Sequence, residues 1–199
     1  MEEVGKRFCD IIDAEKIKLT GEQDGRKESD NSEINITTPI REQCKDLNIL
    51  PKSDNRAFGD ISLECNGKVE AINVKMVNPK KTTTFNGGSV NVFWYILFGK
   101  YSSVGWEKLG NEIKKNRPTK CLREYYYLIY FKNSLEKSIC CGLTDISGDS
   151  IIINPSNPIQ LKTKLKLVKR SEQEKVDFMI GLFEKFIKKR AAPYLSYFD

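Results

Sequence analysis

Asp60-Ile-Ser-Leu-Glu-Cys65, then Asn66-Gly67, then Lys68-Val-Glu-Ala-Ile-Asn-Val-Lys75 is the stretch on which the reading of this chain turns. Polar and apolar residues alternate on both sides of Asn-Gly, the strongest short-range signal for a two-residue hairpin. Side chains along a strand point to alternate faces. Asp60, Ser62 and Glu64 therefore share one face, opposite Ile61, Leu63 and Cys65. In the second strand Ala71, Asn73 and Lys75 lie together, opposite Glu70, Ile72 and Val74. Closing the hairpin can bring Asp60 to the Asn73/Lys75 pair. An acid, a short oxygen-bearing side chain and a lysine on adjacent strands form an arrangement suited to cleaving phosphodiesters. The acid can hold Mg2+, and the lysine can orient or deprotonate water or steady the developing phosphate charge.

The composition favours such an arrangement by exclusion. The 199 residues contain no histidine, which removes serine–histidine triads, histidine-ligated catalytic zinc and histidine general bases. A hydrolase built from this chain needs carboxylates, lysine and an oxygen-loving metal. The net charge of +6 suits an anionic partner but is common among proteins. Six cysteines, with no C-x-x-C pair, read as reduced thiols. The acidic start Met1-Glu2-Glu3 is unlike a signal peptide, and the longest apolar run, Val92–Phe98, is too short to cross a bilayer. The expectation is a cytoplasmic protein, with one domain spanning residues 1–199.

Working outward, helical spacing of Val4, Phe8, Ile11 and Ile12 predicts a helix over 2–18. Thr20–Thr38 reads as a polar, mobile loop, and Thr38-Pro39 as the start of a helix ending near Leu50. Residues 105–116 read as a helix, and Tyr125–Phe131, Ile139–Ile146 and Ile151–Ile153 as strands. Ser171 and Glu174 form a capping box ahead of an apolar stripe through Val176, Met179, Ile180, Phe183, Phe186 and Ile187. The predicted helix ends at Lys188-Lys189-Arg190.

Phe58-Gly-Asp60 followed by Glu70-Ala-Ile-Asn-Val-Lys75 resembles the PD-(D/E)XK nuclease core, with Gly59 in the proline position. The continuation through Thr82-Thr-Thr-Phe-Asn-Gly-Gly88 and an aromatic run is similar to the EcoRV/HincII branch of type II restriction endonucleases. The strand Glu124-Tyr-Tyr-Tyr-Leu-Ile-Tyr130 also falls where that branch has a core strand. The resemblance covers about residues 56–132. It implies an α/β (α+β) fold with a restriction-endonuclease-like core, a mixed central sheet flanked by helices. It further implies a prokaryotic, homodimeric, Mg2+-dependent enzyme that cuts double-stranded DNA at a short palindromic site, leaving 5′-phosphate and 3′-hydroxyl ends. Another nuclease on the same core, for repair or recombination, and a non-catalytic DNA-binding protein are the alternatives.

Carried over residue by residue, the resemblance makes Asp60 a metal ligand, Asn73 the position of the second ligand and Lys75 the activator of water. The chain departs from the pattern at Asn73, where the family has a carboxylate. Asn73 is then an engineered Asp→Asn change, a natural residue compensated by Glu64 or Glu70, or the mark of a non-cleaving relative. Strand alternation favours Glu64 over Glu70 as a substitute metal ligand. Glu15 is the candidate for a helper acid by position. Lys80 and Lys81 are candidates for phosphate contact, and Thr83, Asn86, Ser89 and Asn91 for DNA contact further along. Asn86-Gly87-Gly88 also reads as a turn, and Asn154–Pro158 as a rigid polar loop.

Overall fold

A computed structural model describes residues 1–15, 25–51, 59–65, 67–100, 105–156 and 158–195. In chain order the elements are α1 (Glu2–Ala14), α2 (Gly25–Gln43), β1 (Ile49–Leu50), β2 (Ile61–Cys65), β3 (Lys68–Val77), β4 (Thr84–Gly88), α3 (Val90–Phe98), α4 (Trp106–Lys115), β5 (Tyr125–Phe131), β6 (Ile139–Gly142), β7 (Ile151–Ile152), β8 (Ile159–Lys162) and α5 (Glu172–Leu195). Short 3-10 turns lie at Leu143–Asp145 and Gly148–Ser150. The fold is α+β. Two compact units divide the chain: Met1–Thr82 with Tyr125–Leu143, and Thr83–Glu124 with Thr144–Asp199.

The first unit is organised by a five-stranded mixed sheet of order β1-β2-β3-β5-β6. Only β3 and β5 run parallel. The predicted hairpin forms in the predicted register, with Cys65 opposite Lys68, Leu63 opposite Glu70 and Ile61 opposite Ile72. Gly67 takes the left-handed φ of 68° that a tight turn requires; Asn66 and Phe58 lie outside the described residues. On one face of the sheet Ile61, Ile72, Val74 and Leu128 pack against Phe8, Ile11 and Ile12 of α1 and Ile36 and Ile40 of α2. Both faces of β5 are largely covered, and so its sequence YYYLIYF is an unbroken apolar and aromatic run.

Two expectations fail in this unit. Gly25–Thr38 is helical rather than a loop, and α2 runs through Pro39 to Gln43 instead of starting there. Ile36, Ile40 and Cys44, spaced four apart across the proline, are all buried. Anchoring that stripe to the sheet outweighs the backbone hydrogen bond that proline removes. After Cys44 the chain turns and pairs Ile49 and Leu50 with β2 as an edge strand, rather than continuing a helix to Leu50. Of the helix predicted over 2–18, Glu2–Ala14 is formed and 16–18 lie outside the described residues.

The second unit contains an antiparallel sheet of order β4-β8-β7 and the helices α3, α4 and α5. Ser89 caps α3, its Oγ accepting from the Asn91 backbone N–H, and Gly99 closes that helix at φ 66°. The Ser171/Glu174 capping box is present in both directions: the Ser171 N–H donates to the Glu174 carboxylate at 2.7 Å, and the Glu174 N–H to Ser171 Oγ at 3.4 Å. Phe183 of α5 meets Phe93 of α3 edge-on at 5.6 Å. The helix does not stop at the basic cluster but continues to Leu195. Lys189 and Arg190 instead donate to the carbonyls of Ile153 (3.1 Å) and Pro155 (2.9 Å), tying the helix to the chain after β7. The strand predicted over Ile139–Ile146 ends at Gly142, because the Thr144 N–H and hydroxyl turn to the Glu124 carboxylate instead of a ladder partner.

Candidate active site on the β2–β3 hairpin

Asp60 stands at the entry to β2. Its backbone N–H donates to the Ile72 carbonyl at 3.0 Å, and its Oδ2 accepts from the Val74 N–H at 2.6 Å. The first bond continues the hairpin ladder, and the second fixes the carboxylate beside β3 between Asn73 and Lys75. Gly59 permits this approach: a Cβ there would lie 3.0 Å from the Ile72 nitrogen and 3.2 Å from the Ala71 Cβ. The hairpin register continued by one residue sets Asp60 opposite Asn73.

The Asn73 amide nitrogen donates to the Tyr125 hydroxyl of β5 at 2.7 Å. Its Oδ1 is buried and has no hydrogen-bond partner. Leaving a buried carbonyl oxygen unpaired costs about 1–3 kcal/mol, so such an atom calls for a ligand. Lys75 is pulled below the ordinary lysine pKa by desolvation, against the opposing charges of Asp60 and Glu33. Burial pushes the Tyr125 hydroxyl above its usual value, the Asn73 bond opposes that, and the Asp60 charge adds to it. Asp60, Asn73, Lys75 and Tyr125 thus form one interacting group on the face of the sheet turned away from α1 and α2.

Glu33 of α2 is an acid outside this group whose charge still bears on Lys75. It lies three residues before Ile36 and seven before Ile40, the spacing that puts a residue on the sheet-facing side of the helix. That periodicity was its available signal, concealed by a polar segment read as loop. Glu15 is elsewhere, accepting from the Gln43 amide at 2.7 Å. Glu64 shares the face of Asp60 and Asn73 but is exposed, and accepts from Asn48 at 2.7 Å. Four residues of strand, roughly 13 Å, separate it from Asp60, and the structure does not bring it to the group. Glu70 points to the opposite face, as alternation requires.

The DNA-contact candidates follow β3. Lys80, Lys81, Thr83, Asn86 and Ser89 are exposed and Asn91 is half-buried. Lys80 and Lys81 sit on a turn organised by Asn78, whose Oδ1 accepts from the Lys80 N–H. Asn86 and Ser89 also serve the backbone: Asn86 Oδ1 accepts from the Gly88 N–H at 3.0 Å, and Ser89 caps α3. Asn154 makes a similar turn, accepting from the Ser156 N–H at 2.9 Å.

The Asp60 carboxylate and the unpaired Asn73 oxygen suit Mg2+, which is held by one or two protein oxygens and completes its shell with water and phosphate. Among the described residues no group of three or more Cys, Asp or Glu side chains is placed to hold a metal ion. No helix among the described residues is long and apolar enough to cross a membrane. Compared with known proteins, the chain matches no family model and no curated sequence.

Proposed function

We propose that the chain is a Mg2+-dependent endonuclease of double-stranded DNA, of the type II restriction kind. One observation carries the reading: Asp60, Asn73 and Lys75 converge on one face of adjacent strands, with the Asn73 oxygen buried and unpaired. The homodimer, the palindromic site and the product ends follow from the resemblance to the restriction enzymes rather than from this geometry.

Asp60 and Asn73 would hold the metal, with the Val74 N–H fixing the Asp60 carboxylate and Tyr125 fixing the Asn73 amide. Bound there, Mg2+ would neutralise the scissile phosphate and acidify a water ligand. Lys75, charged, would donate to a phosphate oxygen as negative charge builds there; neutral, it would accept a proton from the attacking water. Its depressed pKa brings the second role closer to ordinary pH. The charges of Asp60 and Glu33 limit that depression. Water adds to phosphorus as the bond to the 3′-oxygen breaks, and the leaving oxygen takes a proton.

A plasmid digest tests this. Asn73→Asp adds a ligand charge, and Mg2+-dependent cleavage should rise by roughly tenfold or more at limiting Mg2+. Discrete fragments are expected, with Asp60→Ala abolishing them. A smear would indicate a non-specific nuclease instead. DNA binding with no cleavage from either form would favour a non-cleaving DNA-binding protein, the reading that the neutral side chain at Asn73 supports.

A further inference from the structure

The charge of this chain is unevenly divided. The second unit has 17 Lys and Arg against 10 Asp and Glu, a net +7, and the first has 16 against 17, a net −1. Part of the excess lies on one face of the β4-β8-β7 sheet. Residues directly opposite each other on paired strands point to the same side. The register sets Thr84 opposite Lys162 and Asn86 opposite Gln160, so these four share a face. Phe85 and Leu161 occupy the other side, where a Cβ on Gly87 would meet Ile159 at 2.8 Å and Leu161 at 3.0 Å. Beyond β8 the alternation in exposure continues. Lys162, Lys164 and Lys166 are exposed, with Thr163 buried and Leu165 half-buried between them. Backbone bonds pin the segment: the Thr163 N–H donates to the Thr83 carbonyl at 3.0 Å, and the Lys166 N–H to Ser150 Oγ at 2.9 Å. None of the three lysines is ion-paired to a described residue.

Alternate residues stand no more than about 7 Å apart along a chain. That is close to the interval between successive phosphates of one nucleic-acid strand. Lipid headgroups impose no such interval, and membrane-surface segments pair their cations with a broad apolar face. Here the exposed apolar residues next to the row are two, Leu167 and Val168. We infer that Lys162, Lys164 and Lys166 form a docking edge for the sugar–phosphate backbone of double-stranded DNA, with the Gln160 and Asn86 amides beside them as uncharged hydrogen-bonding groups. The inference takes DNA as the partner from the reading above and adds the surface that holds it. It requires neither a metal nor cleavage.

The test is fluorescence anisotropy of a labelled DNA duplex with the full chain in EDTA, where no strand is cut. Each phosphate neutralised by a cation adds about 0.9 to the slope of log affinity against log salt. Combining Lys162→Gln, Lys164→Gln and Lys166→Gln should lower that slope by about 2 to 3 and weaken binding at low salt by about tenfold or more. Arginine at the same three positions should keep the slope. Lys108→Gln, Lys114→Gln and Lys115→Gln together remove three exposed lysines of α4 in the same unit, and should lower it by less than about 1. An equal fall from the α4 set, or an unchanged slope in the first variant, overturns the inference and leaves the nuclease reading standing. So does tighter binding to vesicles of anionic lipid than to the duplex, lost in the first variant. No binding of duplex by the unsubstituted protein overturns both. Should the first variant not fold, acetylation footprinting of the unsubstituted protein decides: duplex that shields Lys162, Lys164 and Lys166 supports the inference, and duplex that leaves them reactive overturns it.

Discussion

Lys75 is under opposing influences: burial disfavours its charge, and Asp60 and Glu33 favour it. Burial prevails, so the native pKa lies below the value near ~10.4 of an unfolded chain. Between those two values the unfolded state binds the extra proton. Stability contributed through this group therefore rises with pH across that window and falls as pH drops through it. In Lys75→Met that slope disappears. The difference in melting temperature, native protein minus variant, should climb as pH is raised toward the ordinary lysine value, and a flat difference would show a lysine that is not desolvated. The Asn73→Asp gain in cleavage belongs to the same scale, since it changes one atom of one ligand. Asp60, Asn73 and Lys75 were legible in the sequence because strand alternation and a two-residue turn define their faces. Tyr125 was not, because no local pattern reports which side chain arrives from a strand far along the chain.

Among the elements, the hairpin and α5 carry their own signals, Asn-Gly in one and a capping box with an apolar stripe in the other; both form, α5 running past its expected basic end to Leu195. α3 carries no such signal: Val92–Leu97 are all buried, and a short run that is apolar on every side has no period to distinguish helix from strand. β8 follows Pro155 and Pro158, which read as loop. α2 was obscured by Pro39, whose usual meaning is a helix start; here tertiary burial of Ile36 and Ile40 overrides that local preference. Pro39 should therefore burden the helix it interrupts. Pro39→Ala restores a backbone donor and should stabilise the protein by roughly 1–3 kcal/mol, read as a higher urea midpoint with unchanged slope. An unchanged or lower midpoint would mean that the surrounding chain has adapted to the proline.

For the molecule as a whole, the missing histidine removes the side chain whose ordinary titration falls nearest neutral pH. Asp46 and Glu174 are held below the usual carboxylate range by hydrogen bonds from Arg7 and Ser171. Burial pushes the Cys9 and Cys121 thiols up to about 12 and that of Cys140 up to about 11. Each unit is assembled from two separate segments of chain, and this ordering has a consequence for synthesis. The ribosome completes Asp60, Asn73 and Lys75 well before Tyr125, and β4, α3 and α4 all emerge in between. A nascent chain ending before Tyr125 has the hairpin but neither the parallel partner of β3 nor the hydroxyl that fixes the Asn73 amide. The candidate site thus matures late, only after the first part of the second unit has been made.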